Sequence, residues 1–417
     1  MSRMRPVPDL RPPGPVPGRE PVTVALSGVD FGWGSSGKLS AVLSALSERS
    51  PVPLRFVGLD SGLGRPVLAE HPVEHWYDLP DSAPDVHATV DEVVRFHRVR
   101  AAVVVLDGRV AKTLEAVGVP TVFVDSLPFL WTDGDRPALP LDATVYCAQR
   151  CLELPPECEG VLASIPGLRW VEAVIGTPPA PRAERRAGRP CRKVVVSLGG
   201  LRAPLLADWT NYPRVVLPAV LEALATHGVR EVRLAGNLPA GLLAEFIERA
   251  PAPLRVTAGL LPHRAFLAEL ADCDALLASP GLTTLLEAGS LGVPTVCLPP
   301  QNLSQIFNAR AHSRAVGADV RAAWPEDVLR EDEALALRSK GEKHALDLIY
   351  TAIGKAAARA DDGHVVAALS NRILAALRQT TETTPDWGAL TAAVGTGGAA
   401  QVADAVLAAV RQSPPDT

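Results

Sequence analysis

The chain has 417 residues, 47% of them hydrophobic, and a formal net charge of −5, enough apolar material for two packed cores and too much for one typical core. The mildly acidic balance and the lack of a basic stretch exclude a nucleic-acid track, and no apolar run reaches bilayer-spanning length, so no membrane partner is expected. Residues 1–20, rich in Pro and Arg, read as a disordered tail and not as a signal peptide. The expected location is therefore cytoplasmic, where the six cysteines stay reduced.

Short β-branched runs alternate with Ala/Leu-rich helical stretches, the pattern of an α/β chain layered on parallel sheets. Strands are expected at 22–27, 54–59, 102–106, 121–124 and 143–147, with helices such as 38–47 and 86–99 between them. The polar, Pro-rich segment 178–191 reads as a linker. The theme then restarts, with strands at 193–197, 231–235, 254–257, 275–278 and 295–298 and helices at 213–227, 240–250 and 264–271. Helices at 363–378 and 398–411 follow, separated by a TTETTPDWG loop. This divides the chain into an N-terminal domain over 21–177, a C-terminal domain over 192–378, and a closing loop and helix over 379–417 that packs back on the first domain. Two such halves face each other across a cleft, where ligands of these sheets bind.

The first strand leads into GVDFGWGSSGK, in which Gly32, Gly34 and Gly37 form a GxGxxG and Gly32 to Lys38 a GxxxxGK, enclosing Ser35 and Ser36. A P-loop needs Ser or Thr next for Mg²⁺, and the residue is Leu39, so the NTPase reading is rejected. Asp60 ends the next strand, where an NAD-binding acid would sit, but the glycines start four residues beyond Gly28 and not at the strand end. Asp30, Asp107 and Asp125 follow strands at the cleft edge and are candidate general bases. Asp30 is favoured because it precedes the Gly-rich loop; Asp125 is second, in DSLPFLW, whose Phe129 and Trp131 suit a flat acceptor. The pairs Asp133 with Asp135 and Asp272 with Asp274 match DxD but read as solvated loop acids, and Cys147, Cys151 and Cys158 fit no common zinc spacing. No metal and no cofactor is expected.

In the second half, KVVVSLGGL places Gly199 and Gly200 in a turn whose N–H groups approach a phosphate closely, with Arg202 just beyond. The most informative stretch is DCDALLASPGLTTLLEAGSLGVPTVCLPPQNLSQIFNAR. A buried strand runs into Pro280 and Gly281, and a helix starting near Thr283 and Thr284 aims free N–H groups at a phosphate or pyrophosphate. Glu287 lies one turn inside that helix, Gly289 and Gly292 end it, and Gln301, Asn302, Gln305 and Asn308 supply neutral amides suited to sugar hydroxyls.

The SPGLTTLLEAGSLGVPT block followed by QxxxQxxxA resembles the donor-binding signature of GT-B glycosyltransferases, and is similar to that of the lipid II-forming N-acetylglucosaminyltransferase. The resemblance covers about forty residues strongly and the two-domain layout more loosely. It implies two Rossmann-like domains facing a cleft, the acceptor on the first and a UDP-sugar on the second. It assigns Gly199, Gly200, Arg202, Gly281, Thr283 and Thr284 to the diphosphate, Glu287 to the ribose, Gln305 to the sugar, and Leu261, in GLLPH, to the donor base, with Gln301 a further donor-side amide. His263 in that segment is expected to be a loop residue. The loop from Gly32 to Lys38 would shape the acceptor and diphosphate site. Ser304 stands where an acid or second amide often precedes the Gln, which leaves the sugar open.

GVDFGWGSSGKLSAVLSAL and DSLPFLWTD resemble cytosylglucuronate synthases of peptidyl-nucleoside antibiotic pathways. That resemblance implies inverting transfer of glucuronate from UDP-glucuronate to N1 of cytosine or hydroxymethylcytosine, with Lys38, Arg202 or Arg310 as the cation for the sugar carboxylate. The alternatives are another natural-product acceptor, a non-hydrolysing UDP-sugar epimerase with more acids and His around the sugar, an NAD-binding oxidoreductase and a catalytically inactive nucleotide-sugar sensor.

Overall fold

The computed structural model describes residues 20–178, 190–202, 206–360, 363–382 and 385–412. Nearly all of the expected tail and most of the expected linker lie outside the described residues.

The first half is a seven-stranded, wholly parallel sheet. Its strands are β1 (Val22–Gly28), β2 (Leu54–Leu59), β3 (Val73–Tyr77), β4 (Val99–Val105), β5 (Thr121–Asp125), β6 (Val145–Gln149) and β7 (Leu168–Val171), in the order β3-β2-β1-β4-β5-β6-β7. Helices α1 (Gly34–Arg49), α2 (Ala83–His97), α3 (Gly108–Ala116) and α4 (Pro156–Ala163) make the crossovers. The central strands are buried on both faces, which is why their sequences run VTVALSG and VRAAVVV without polar alternation. The chain leaves β1 in one direction and β4 in the other, so a crevice opens at their carboxyl ends.

The second half repeats this with five parallel strands: β8 (Lys193–Gly199), β9 (Glu231–Gly236), β10 (Arg255–Gly259), β11 (Ala275–Ala278) and β12 (Thr295–Cys297), in the order β10-β9-β8-β11-β12. Its helices are α5 (Asn211–His227), α6 (Ala240–Glu248), α7 (His263–Asp272), α8 (Leu282–Ser290) and α9 (Leu303–Val316). Here the crevice lies between β8 and β11. A helical annex follows: α10 (Glu331–Ala336), α11 (Glu342–Ala357), α12 (His364–Glu382), α13 (Ala389–Val394) and α14 (Gly398–Gln412). Helix α12 packs on α5 and α13 on α8. Helix α14 returns to the first half, against α1, β4 and β5, and its Val402, Val406 and Leu407 join that core.

Two local expectations are corrected. Residues from Gly34 to Lys38 are the first turn of α1 and not a loop. Gly289 lies in the last turn of α8, as expected; a Cβ there would meet Thr391 Oγ1 at 2.3 Å, so the glycine lets α13 approach closely. The stretch Ala389–Gln412 is apolar and long enough to cross a membrane by length and composition, contrary to expectation. Half of it is buried, however, and it is split between α13 and α14, each docked on other elements.

Candidate active site at the meeting of two switch points

A cavity of about 360 Å³ lies where the two crevices face each other, a size suited to a small ligand. Val29 and Leu106, following β1 and β4, line it from one sheet, and Gly199 and Ser279, from β8 and beyond β11, from the other. The apolar strands end at these positions, so the polar and glycine residues that follow them converge on one space.

The Gly-rich turns of both halves touch. Gly199 adopts φ +64°, and a Cβ on Gly200 would lie 2.7 Å from the carbonyl carbon of Gly32, so only glycine allows that approach. Gly32 N donates to Arg202 O at 3.4 Å, and the first turns of α1 and α8 abut, Thr283 Oγ1 donating to Gly34 O at 3.3 Å. Gly32, Gly34, Ser35, Gly37 and Lys38 line the cavity, as do Gly281, Thr283 and Thr284. Ser36 does not; it packs beneath Gly64 on the far side of the helix. Leu261 lines the cavity as well.

Lys38 is the central cation. It is 1% exposed, and its Nζ donates to Thr283 Oγ1. Burial pushes its pKa down to about 8, against the opposing pull of the Glu287 charge. Glu287, 2% exposed, accepts from His263 Nε2 at 2.7 Å and from Gly176 N at 3.3 Å. Burial acts to lower the His263 pKa, but the charge and hydrogen bond of Glu287 outweigh it and the net shift is upward. His263 is thus a buried partner of Glu287 at the start of α7 and not an idle loop residue; its helix-capping context, after Pro262, gave no sign of that pairing.

The amides form a braced set. Gln301 Nε2 donates to Ser279 Oγ, while Gln301 N donates to Gln305 Oε1, and both glutamines line the cavity. Asn302 caps α9 through Gln305 N, and Asn308 Nδ2 donates to Pro280 O, fixing the turn before α8.

The two acids expected to be bases do not reach the cavity. Asp30 is exposed on the outer side of the β1 turn, where Oδ1 accepts from Leu63 N. Asp125 is fully buried and accepts from Leu127 N, Trp131 Nε1 and Tyr146 OH, so its lone pairs serve to hold the 126–131 loop. Burial raises its pKa to about 6 despite these bonds. Trp131, thus fixed, lines the cavity with Leu127 and Leu130, whereas Phe129 packs on Phe307 in the core. Asp107 caps α3 through Val110 N, and Asp60 pairs with Arg109 and accepts from Leu79 N. Arg310 is also away from the cavity, paired with Glu331 and Asp332, whereas Arg202 lines it.

The DxD acids have structural partners: Asp135 accepts from Thr132, Asp133 pairs with Arg136, Asp272 with Lys193, and Asp274 accepts from the N–H groups of Arg192 and Lys193. Cys158 Sγ accepts from Arg338. Among the lining residues that the sequence did not single out are Glu342 and Tyr350 on α11. Glu342 opens an ordinary amphipathic helix, and its spacing carries no mark of the cleft.

No family model matches this chain, and no curated protein matches it in sequence. The architecture is matched among solved structures. The chain is similar to the glycotransferase of kitacinnamycin, at 15% identity and TM-score 0.50, over 95% of this chain and 100% of that one. It is similar to UGT2 of Phytolacca americana complexed with UDP-2fluoro-glucose and pterostilbene, at 14% identity and TM-score 0.50, over 94% and 100%. A putative UDP-N-acetylglucosamine 2-epimerase from Listeria monocytogenes matches at 13% identity and TM-score 0.51, over 88% and 98%. Likeness at such identities is likeness of fold. The chain has the GT-B fold, two parallel α/β sheets with flanking helices that meet across a cleft.

Proposed function

We propose that the protein is a UDP-sugar-dependent glycosyltransferase that moves glucuronate from UDP-glucuronate to N1 of cytosine or hydroxymethylcytosine, with inversion and without a metal. The observation that carries the reading is the convergence, in one cavity, of the β8 Gly-Gly turn, the first turn of α8 and the amides at Gln301 and Gln305. A helix N-terminus and a glycine turn favour a diphosphate. Lys38 beside Thr283 adds a cation where charge develops on the leaving group. The wall of Leu127, Leu130 and Trp131 suits a flat acceptor ring. Of the cations expected for a sugar carboxylate, Lys38 and Arg202 line the cavity. Glucuronate and cytosine rest on the sequence resemblance.

One observation favours a second reading. Lys38, Glu287 and His263 form an ionisable cluster at the cavity, the kind of equipment a non-hydrolysing UDP-sugar epimerase uses. The test incubates the protein with UDP-glucuronate and cytosine, with and without EDTA, and follows UDP and the coupled nucleoside by mass spectrometry. Coupled product that persists in EDTA, and whose anomeric configuration is inverted by NMR, is expected. UDP release with another acceptor but not cytosine overturns the substrate assignment alone. Interconversion of UDP-N-acetylglucosamine without acceptor, and no transfer, overturns the transferase in favour of the epimerase.

A further inference from the structure

With Asp30 turned to solvent and Asp125 sealed in its own hydrogen bonds, transfer needs another group to remove the acceptor's proton. Two carboxylates line the cavity among the described residues, Glu287 and Glu342. Glu287 is already committed to His263 and the Gly176 N–H. Glu342 is half-buried at the first position of α11 and has no hydrogen-bond or ion-pair partner among the described residues. Tyr350, two turns along the same helix, lines the cavity beside it.

The segment carrying Glu342 is seated on the loop that supplies the flat apolar wall. Arg338 Nε donates to Leu130 O at 3.3 Å, and its guanidinium pairs with Glu157 and donates to Cys158 Sγ. On the loop side the charge that faces Glu342 is Asp135, ten residues beyond Asp125, and on its own helix the titratable neighbour is Tyr350. Glu342 thus lines the same cavity as the Leu127, Leu130 and Trp131 wall, the space a planar acceptor would share with it.

We propose that Glu342 is the catalytic base. This rests on the glycosyl-transfer reading above. The acceptor atom forms its bond to the anomeric carbon as the bond from that carbon to the diphosphate oxygen breaks. The electron pair of the broken bond leaves with UDP, and the acceptor's proton passes to a Glu342 carboxylate oxygen and then to solvent. Burial, reinforced by the Asp135 charge, raises the Glu342 pKa, which suits a group that must take a proton near neutrality.

The experiment compares wild type, Glu342→Gln and Glu342→Asp with UDP-glucuronate and cytosine, reading UDP release against pH and UDP affinity by calorimetry. Glu342→Gln should keep the UDP affinity and melting temperature of wild type and lose about 10²–10⁴-fold in kcat. Wild-type activity should fall as pH drops through the raised Glu342 pKa; that acid limb should vanish in Glu342→Gln and return, displaced, in Glu342→Asp. Turnover of Glu342→Gln within about threefold of wild type, with the acid limb intact, overturns the proposal. Should wild type consume the donor only by slow transfer to water, the same loss is expected there, and its absence likewise overturns the role. A wild type that neither binds UDP nor consumes any UDP-sugar overturns the glycosyl-transfer reading itself, and the base with it.

Discussion

Lys38 shows what a single residue contributes and what it costs. A lysine this deeply buried holds its charge poorly, and its pKa falls from 10.5 to about 8. A base whose folded pKa is lowered binds its proton more tightly when unfolded, so folding is penalised below about pH 8. The penalty fades as pH rises from about 8 toward 10.5, and its full size is about 3 kcal/mol by linkage. Lys38→Met should therefore be as stable as wild type or more stable at pH 7 in urea denaturation, with the gap narrowing by pH 9.5. The same variant should bind UDP more weakly, by about 1.5–3 kcal/mol, the worth of a hydrogen bond to a charged group. A variant that is destabilised at pH 7 with unchanged UDP affinity would make Lys38 a structural cation alone. The sequence marked Lys38 through its glycines, because a GxxxxGK string announces a tight turn before a helix. It could not announce Glu287 and His263 as its neighbours, since they arrive from the other half of the chain.

At the scale of elements, the α8–α13 contact sets local helix preference against packing. Alanine in place of Gly289 would gain about 1 kcal/mol of helix propensity. Its Cβ, however, would sit 2.3 Å from Thr391 Oγ1 and 3.2 Å from Trp387 O. Thr391 cannot yield easily, because that hydroxyl donates to Leu286 O at 2.9 Å. Overpacking of this kind costs about 1–3 kcal/mol, so Gly289→Ala should be neutral to destabilising in urea, and never stabilising by the full propensity gain. Adding Thr391→Ala should recover part of the loss in a double-mutant cycle; strict additivity would show that the contact is not the cause. The central strands were legible because they are apolar on both faces, and Leu54–Leu59 and Ala275–Ala278 fall on the expected residues. β3 and β7 were not, being short edge strands, VEHWY and LRWV, with exposed residues that break any apolar run. No element was expected between 311 and 362, yet α11 lies there with Ala345, Leu346, Ile349, Ile353 and Ala356 on one buried face, a readable helical period. Missing that helix meant missing Glu342.

The whole molecule is two sheets tied by a chain that crosses back at its end. Contacts between the halves are polar in places, among them Lys38 to Thr283, His263 N to Val67 O, Arg338 to Leu130 O and Arg314 to Glu153, and apolar in others, as where Phe129 and Leu130 join the core of the second half. Helix α14 covers an apolar face of the first sheet and α1. Without it that face would meet water, so the first half depends on residues far from it in sequence. Val406 is fully buried in that contact, and a carboxylate there would have neither partner nor water. Val406→Asp should cost at least about 3 kcal/mol, which lowers the melting transition of the first half by about 6–12 °C for a domain of this size. The second half keeps its own core around α5 and α12, so its transition should hold, and calorimetry should show the two separate. UDP at 100 times its dissociation constant stabilises a folded site by about 2.7 kcal/mol. Because Lys38 of the first half lines the same cavity as the second half's glycine turn and α8, that shift should shrink once the first half has melted. An unshifted single transition in Val406→Asp would mean that α14 is not part of the first core, and a UDP shift that survives melting of the first half undiminished would place the nucleotide on the second half alone.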